Sequence, residues 1–265
     1  MPYVTSEGAN IFVDVAGDGP PVLLVHGFGM HHAQWDPQWS VLADGQQAVR
    51  VDLRAHGRSE TTAHGYTVAA TARDLLRVLV QAGFDRRNPG FVVGHSTSAD
   101  AVLSAAMAEP RSFRGVVLTA PVVWGHPVAP EWLDLWLGMQ AEARAGRVAA
   151  AFERFRGDRI FDVARARPEL FESICRMHAA CTGAPLVDDE RDEGPSTLER
   201  VSGCRTPLLV LSGAQDREDF KNAARALAAA APSATFHELA GAAHFPNLEV
   251  PAAFTSMLLE FMRTP

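Results

Sequence analysis

A serine, an aspartate and a histidine lie in three separate loops of this 265-residue chain, each after a predicted strand. Ser96 comes directly after the apolar run FVVGH and directly before a predicted helix. Asp216 follows the apolar run PLLVLSG, and His244 lies in a Gly/Ala loop before the last predicted helix. A serine hydroxyl becomes a nucleophile when a histidine accepts its proton and a carboxylate orients that histidine. The order Ser96, Asp216, His244 therefore predicts attack on a carbonyl carbon, with nucleophile, acid and base in that order.

The stretch GHSTS (94–98) places Ser96 on a sharp turn between strand and helix, for which the usual pattern is G-x-S-x-G. Such a turn holds the serine in an unfavourable backbone conformation, so the flanking positions must be small. Gly94 meets that demand, whereas Ser98 stands where glycine is usual. We expect a small local shift to accommodate Ser98, and its hydroxyl to bond the backbone of the turn. The alternative interpretation of Ser96 is a helix N-cap.

Acyl transfer also requires hydrogen-bond donors for the oxyanion that develops on the carbonyl. The backbone amide after the nucleophile, that of Thr97, is one expected donor. The loop HGFG (26–29) follows an early predicted strand, and its glycines let the backbone approach a ligand closely. We therefore predict the amide of Phe28 as the second donor.

Other polar residues near these motifs are alternatives or supports. Glu218 and Asp219 could replace Asp216 as the acid, although the spacing from the preceding strand favours Asp216. The pair His31-His32 has the residue type of a metal site, but adjacent histidines are expected to face apart and no carboxylate cluster accompanies them. No metal site is predicted. The remaining motif residues are predicted to shape loops or form a structural polar network, namely His26, His95, Asp52, Arg54 and Ser59.

Short apolar runs alternate with helical stretches up to about residue 121 and again after residue 201. Strands are predicted at 10–17, 21–27, 48–53, 91–95, 115–121, 207–213 and 235–241, and helices at 67–83, 100–109, 219–232 and 250–262. Uniformly apolar runs suit parallel strands that are buried on both faces. The pattern predicts an α/β fold with a mostly parallel sheet flanked by helices, in which the turn residues DGP join the first two strands as a hairpin.

Residues 122–201 interrupt this alternation with a helical segment rich in arginine and aromatic residues. We expect 1–121 and 202–265 to form the core, and 122–201 to form a helical cap over the carboxyl edge of the strands. Most of the aromatic side chains are predicted to form the interior of the cap. Trp124 follows directly after the strand that ends near residue 121, so it is the candidate to line a pocket for a substrate with an apolar part.

The composition restricts the partners and the compartment. A formal net charge of −7 argues against a nucleic acid or an anionic membrane as the main partner. No apolar run is long enough to span a bilayer, and the N-terminal residues lack the pattern of a signal peptide, so a cytoplasmic protein is expected. The chain has three cysteines, Cys175, Cys181 and Cys204, which form no C-x-x-C pair and are predicted to be reduced thiols. The alternative is a disulfide between Cys175 and Cys181.

Five motifs together resemble the α/β-hydrolase superfamily over essentially the whole chain: HGFG (26–29), DLRAHGRSE (52–60), GHSTS (94–98), LSGAQD (211–216) and GAAHFPNLEVP (241–251). The resemblance implies the α/β-hydrolase fold, an eight-stranded type of sheet with an inserted cap, and no cofactor. It also implies Ser96, His244 and Asp216 as a catalytic triad, with the amides of Phe28 and Thr97 as the oxyanion hole. The chain departs from the family pattern at Ser98 and at Ala55, where glycine is usual.

The leading hypothesis is a serine hydrolase that cleaves an ester, lactone or thioester of a small molecule through an acyl-enzyme. One alternative is a hydrolase of a C–C bond in a ring-cleavage product, for which arginines of the cap would hold a charged substrate: Arg144, Arg147, Arg154 and Arg156. Cofactor-independent peroxidation also stays open, as does a ligand receptor or sensor of the same fold. The protein is expected to be a monomer or a homodimer.

Overall fold

A single eight-stranded sheet organises the chain in the computed structural model, which describes residues 2–263. Its order is β1-β2-β4-β3-β5-β6-β7-β8. The strands are β1 (Tyr3–Ser6), β2 (Ala9–Ala16), β3 (Pro21–Val25), β4 (Gln47–Val51), β5 (Gly90–His95), β6 (Phe113–Thr119), β7 (Leu208–Gly213) and β8 (Ala234–Leu239). The strands from β4 to β8 in this order pair in parallel, whereas β1 and β2 are antiparallel. The predicted α/β class and mostly parallel sheet are confirmed.

Helices cover both faces of the sheet because the apolar side chains along each strand point alternately to one face and to the other. Leu23 and Val25 of β3 pack on one side, while Val22 and Leu24 pack on the other. On the first side lie α2 (Val68–Gln81), α3 (Ser98–Ala108) and α10 (Glu218–Ala230); on the second lie α1 (Asp36–Ala43) and α12 (Pro251–Arg263). All residues of β3, β5 and β7 are buried, as expected of strands covered on both faces.

The predicted hairpin between the first two predicted strands is wrong. The strand at Ala9–Ala16 pairs antiparallel with β1 and β4, and β4 lies between it and β3. The hairpin of the fold is instead β1–β2, whose first strand, Tyr3–Ser6, the sequence patterns did not indicate. The chain does bend at residues 18–20, but the strand that follows, β3, pairs with the far side of β4 and not with β2.

The segment between β6 and β7 holds six α-helices within the described residues: α4 (Pro130–Arg144), α5 (Val148–Arg156), α6 (Asp162–Arg165), α7 (Pro168–Ala179), α8 (Ala184–Val187) and α9 (Thr197–Arg200). They have their own apolar interior, which includes Met139, Phe152, Phe161 and Ile174. Phe245, next to His244, belongs to the same cluster, so these helices pack against the carboxyl edge of the sheet. The remaining helix, α11 (Pro246–Glu249), follows that histidine.

Candidate active site

Ser96 occupies a strained turn at the end of β5. Its φ of +53° lies in the left-handed region that non-glycine residues rarely adopt. The strain is held by the neighbouring strand, because the Ser96 amide donates to the carbonyl oxygen of Thr119 at 3.0 Å. A Cβ at Gly94 would come within 2.9 Å of the Val102 side chain. The sharp turn predicted for GHSTS is therefore present, with glycine where no side chain fits.

Ser98 takes the place of the second glycine by bonding the backbone of the turn. Its hydroxyl lies 2.9 Å from both the amide nitrogen and the carbonyl oxygen of His95. The hydroxyl oxygen accepts from the amide, and the hydroxyl proton is shared between the carbonyl oxygens of His95 and Val25, the latter at 3.3 Å. The side chain is buried. The expectation that the Ser98 hydroxyl bonds the turn is confirmed.

The structure brings Ser96, His244 and Asp216 into one hydrogen-bonded chain. The imidazole Nδ1 lies 2.9 Å from Oδ2 of Asp216, and Nε2 lies 2.9 Å from Oγ of Ser96. An ionised carboxylate can only accept, so Nδ1 carries the proton and Nε2 is left to accept from the serine hydroxyl. All three side chains are buried, which strengthens their electrostatic interactions relative to water. This arrangement can transfer the serine proton to the histidine.

Of the three carboxylates after β7, only Asp216 bonds the histidine. Its other oxygen accepts from the Arg217 amide at 2.7 Å. Asp219 instead pairs with the Arg217 guanidinium and accepts from the Ala129 amide. Glu218 is exposed and pairs with two cations of its own helix. The preference for Asp216 over its neighbours thus agrees with the geometry.

The two residues whose amides are the predicted oxyanion donors are in contact. The Phe28 amide donates to Oγ1 of Thr97 at 3.0 Å. Thr97 is also the residue that caps α3, so its own amide lies at a helix N-terminus, where backbone N–H groups lack intrahelical partners. Helix N-termini attract negative charge. Both residues could therefore contribute donors to one anionic oxygen.

A cavity of about 230 Å³ opens at these donors. Its walls include Phe28, Leu53, Arg54, His56, Tyr66, Val68, Thr97, Ala101, Trp136, Pro185 and Asp192. The tryptophan at its wall is Trp136 of α4, not Trp124. The Trp124 amide is held by the Asp100 carboxylate at 3.0 Å, and its side chain lines a different groove beside Ser196 and Leu198. Trp124, which the sequence predicts to line a substrate pocket, thus lies at this groove and not at the cavity beside Phe28 and Thr97.

Buried histidines around the site are held neutral by burial. Burial lowers the pKa of His26 to about 3 and that of His56 to about 4. Nε2 of His56 accepts from the Gly29 amide and Nε2 of His26 from the Leu53 amide, so each ring orders a loop that the site uses. The sequence interpretation of His26 as a loop-shaping residue is consistent with these contacts.

The pair His31-His32 differs from its expectation. A carboxylate does accompany it, because one ligand atom from each of His31, His32 and Asp52 lies within 4.8 Å of the others. Asp52 is already committed to the protein, since its oxygens accept from the His32 ring, the His32 amide and the Arg58 amide. These bonds are those of the structural polar network predicted for Asp52, and they compete with any cation.

Sequence reasoning missed Glu249. One of its carboxylate oxygens accepts from the amides of Ala243 at 2.6 Å and Phe245 at 3.2 Å, on either side of His244. The other oxygen is buried and has no hydrogen-bond partner among residues 2–263. Burial raises the pKa of this carboxyl to about 7. Its position five residues beyond His244 carries no signal of burial, so only the folded chain reveals this contact.

Comparisons with known proteins agree with this architecture. The model of the alpha/beta hydrolase family matches residues 22–256. An Azorhizobium caulinodans protein, RutD, proposed to be a carbamate hydrolase, is 27% identical over 271 residues, which cover 98% of each chain. An uncharacterized protein of Mycobacterium tuberculosis is 29% identical over 286 residues, with 100% of this chain and 81% of the relative covered.

Solved structures share the fold along the whole chain. The enol-lactonase from Burkholderia xenovorans superposes with a TM-score of 0.82 at 22% identity, covering 99% of this chain and 100% of that one. A thermophilic esterase from Thermogutta terrifontis has a TM-score of 0.84 at 24% identity, covering 99% and 96%. None of the helices within residues 2–263 has the length and apolarity that a membrane crossing needs.

Proposed function

The chain belongs to the alpha/beta hydrolase family, and from that premise we propose that it cleaves a carboxylic ester, lactone or thioester through an acyl-enzyme on Ser96. The observation that carries the proposal is the chain of two 2.9 Å contacts from Asp216 through His244 to the Ser96 hydroxyl. The similar proteins whose names include a carbamate hydrolase, an esterase and an enol-lactonase support a hydrolytic reaction.

In the proposed acylation step, Oγ of Ser96 forms a bond to the carbonyl carbon of the substrate. The electron pair of the C=O bond moves to the oxygen, and the serine proton moves to Nε2 of His244. The amides of Phe28 and Thr97 donate to the oxyanion. When the C=O bond forms again, the alcohol or thiol leaves and takes the proton from Nε2, which produces the acyl-enzyme.

In the proposed deacylation step, a water molecule gives a proton to Nε2 of His244 and attacks the acyl carbon. The second oxyanion collapses, the bond to Oγ of Ser96 breaks, and the serine recovers its proton from the histidine. Asp216 accepts from Nδ1 throughout and stabilises the imidazolium that forms in each step. The residues present perform every proton transfer, so the proposal needs no cofactor.

We assign residues 122–201 as a cap over this site and 1–121 with 202–265 as the catalytic core, of which positions 1, 264 and 265 lie outside the described residues. The support lies in side chains that join the two parts beside the triad. Arg217, next to the acid, pairs with Asp158 of the inserted segment at 2.9 Å and lies over the ring of Trp132. Such contacts let the inserted helices exclude water from the reacting groups, which strengthens the oxyanion bonds.

The cavity favours a small neutral substrate over the charged one that the C–C hydrolase alternative requires. The guanidinium of Arg54 is paired with Asp74, to which it donates hydrogen bonds at 2.7 and 2.9 Å. The carboxylate of Asp192 accepts hydrogen bonds from two amides at the start of α2. None of the four cap arginines considered for a charged substrate lines this cavity. At about 230 Å³ the cavity lies below the ~300–1,000 Å³ of ordinary ligand pockets, so short acyl groups fit best.

The test is covalent labelling followed by turnover. A fluorophosphonate should add to Ser96, with the adduct located by mass spectrometry, and the protein should hydrolyse short p-nitrophenyl esters or lactones. Ser96→Ala should abolish both, whereas Ser202→Ala, which removes a hydroxyl at an exposed position, should change neither. An unlabelled Ser96, or turnover by Ser96→Ala, would refute the mechanism. Labelling without turnover on any ester, lactone or thioester would favour the receptor alternative.

A further inference from the structure

Thr97 lines the cavity and is in contact with Phe28, whose amide is one of the two predicted oxyanion donors. Thr97 is exposed, although Ser96 and Ser98 on either side of it are buried. It lines the cavity, and its Oγ1 accepts from the Phe28 amide at 3.0 Å. Within residues 2–263, no acceptor takes the proton of this hydroxyl. The hydroxyl is therefore an anchored group with an uncommitted donor beside the predicted oxyanion hole.

We propose that the Thr97 hydroxyl is a third hydrogen-bond donor to the oxyanion, in addition to the amides of Phe28 and Thr97. This inference rests on the proposed acyl-transfer function. It assigns to the side chain of Thr97 a role that the sequence analysis gave only to its backbone.

The position of the Phe28 amide explains why the hydroxyl must meet the oxyanion. A bound oxyanion has to lie about 2.7–3.1 Å from the donors that stabilise it. Oγ1 of Thr97 already lies 3.0 Å from the Phe28 nitrogen, on the side to which its N–H bond points. An oxyanion that shares this N–H therefore comes within hydrogen-bonding range of Oγ1. The two oxygens attract each other only if the hydroxyl donates its proton to the anion.

Two features prepare the hydroxyl for this role. It accepts from the Phe28 amide, and a hydroxyl that accepts a hydrogen bond becomes a stronger donor through mutual polarisation. Threonine is also branched at Cβ, which restricts χ1, so little rotational freedom is lost when the oxyanion binds. The donor is thus oriented before the reaction begins, as electrostatic stabilisation of a transition state requires.

The contribution should appear in kcat and not in KM. The negative charge exists only in the tetrahedral intermediate and its flanking transition states, while the ground-state carbonyl carries little charge. An interaction that strengthens only in the transition state lowers the barrier without tightening substrate binding. This separation distinguishes a donor to the oxyanion from a residue that merely shapes the pocket.

The experiment compares Thr97→Val with Thr97→Ser. Valine keeps the branched shape and removes the hydroxyl. We therefore expect kcat on a short p-nitrophenyl ester to fall about 10- to 100-fold, with KM nearly unchanged. This loss is somewhat smaller than that expected where one side chain is the main donor to the oxyanion, because two backbone amides remain. Serine restores the donor and should recover most of kcat. A trifluoromethyl ketone, which forms an oxyanion with Ser96, should bind Thr97→Val more weakly by a similar factor. Thr235→Val, at the edge strand β8, is the matched control.

A kcat for Thr97→Val equal to or above that of the unmodified protein would overturn the inference. A rise would mean that the hydroxyl competes with the substrate for the Phe28 amide. A loss of kcat that Thr97→Ser does not restore, or one accompanied by an equal rise in KM, would also overturn it. Thermal unfolding and fluorophosphonate labelling of each variant verify that the fold and Ser96 are intact. Retained turnover in Ser96→Ala refutes the proposed function itself, which separates the two failures.

Discussion

Glu249 should make the stability of this protein depend on pH in a direction opposite to that of most carboxylates. Its side chain is buried beside the loop that carries His244, and burial raises its pKa from 4.5 to about 7. The amides of Ala243 and Phe245 oppose this shift, because they stabilise the ionised form, but burial dominates. The folded chain therefore holds a proton on Glu249 over a pH range in which the unfolded chain has lost it.

The sign and size of the pH dependence of the free energy of unfolding follow from this difference in bound protons. Below about pH 4.5 Glu249 is protonated in both states, and its favourable contribution is fully present. Between about pH 4.5 and 7 the folded state binds more protons than the unfolded state, so the free energy of unfolding falls as the pH rises. Above about pH 7 the carboxyl is ionised in both states and the contribution is lost. The separation of the two pKa values corresponds to about 3 kcal/mol.

Glu249→Gln isolates this effect, because the amide is neutral at every pH and keeps an oxygen that can accept from both backbone amides. The free energy of unfolding should be measured by urea denaturation at intervals from pH 4.5 to 8. Relative to the variant, the unmodified protein should lose about 3 kcal/mol across this window. Glu153→Gln removes the same charge from an exposed position on α5 and is the control.

A constant difference between the unmodified protein and Glu249→Gln would refute the reasoning. A difference of opposite slope, with the unmodified protein gaining stability as the pH rises, would mean that the two amides outweigh burial and keep Glu249 ionised. The kcat and KM of the variant on one ester, measured over the same pH range, then show whether the protonation state of Glu249 also affects catalysis through the loop that carries His244.

Three further substitutions test the geometry. Ser98→Ala should lower the free energy of unfolding by about 1–3 kcal/mol in urea denaturation, because the buried amide and carbonyl of His95 lose their partner. Arg217→Ala should lower it by about 3–5 kcal/mol in the same assay, since Asp158 and Asp219 would be left without their cation. Ala55→Gly should raise the free energy of unfolding by up to about 1 kcal/mol, because Ala55 has a φ of +64° that glycine adopts without strain. The gain should appear as a slightly higher melting temperature. Each result is contradicted by a change of the opposite sign.

Local patterns in the sequence were sufficient for the parts of this fold that depend on neighbours along the chain. Apolar runs predicted seven of the strands to within a few residues, and loops at the ends of β5, β7 and β8 indicated Ser96, Asp216 and His244. Parallel strands all end at the same edge, so residues that follow different strands meet there without any further information. The sharp turn at Ser96 is likewise a local property.

Properties that depend on distant packing could not be predicted in the same way. The hairpin failed because a turn reveals that the chain reverses, not which strand it then pairs with. Trp124 and Trp136 are chemically identical, and only the path of α4 decides which of them reaches the cavity. The approach of Asp52 to His32 joins residues 20 positions apart through the loop after β3. In each case the deciding contact comes from an element whose place the local sequence does not encode.

The turn at Ser96 shows how such a local signal can be degenerate and still reliable. A φ of +53° at a serine costs roughly 1–3 kcal/mol, and it persists only where the surroundings enforce it. Here the Ser96 amide is tied to Thr119, and the Ser96 carbonyl oxygen accepts from the amides of Ala99 and Val122. Space for the turn comes from Gly94, while Ser98 contributes hydrogen bonds instead of space. Two positions that the usual pattern fills alike thus have different physical duties, and only the first must be glycine.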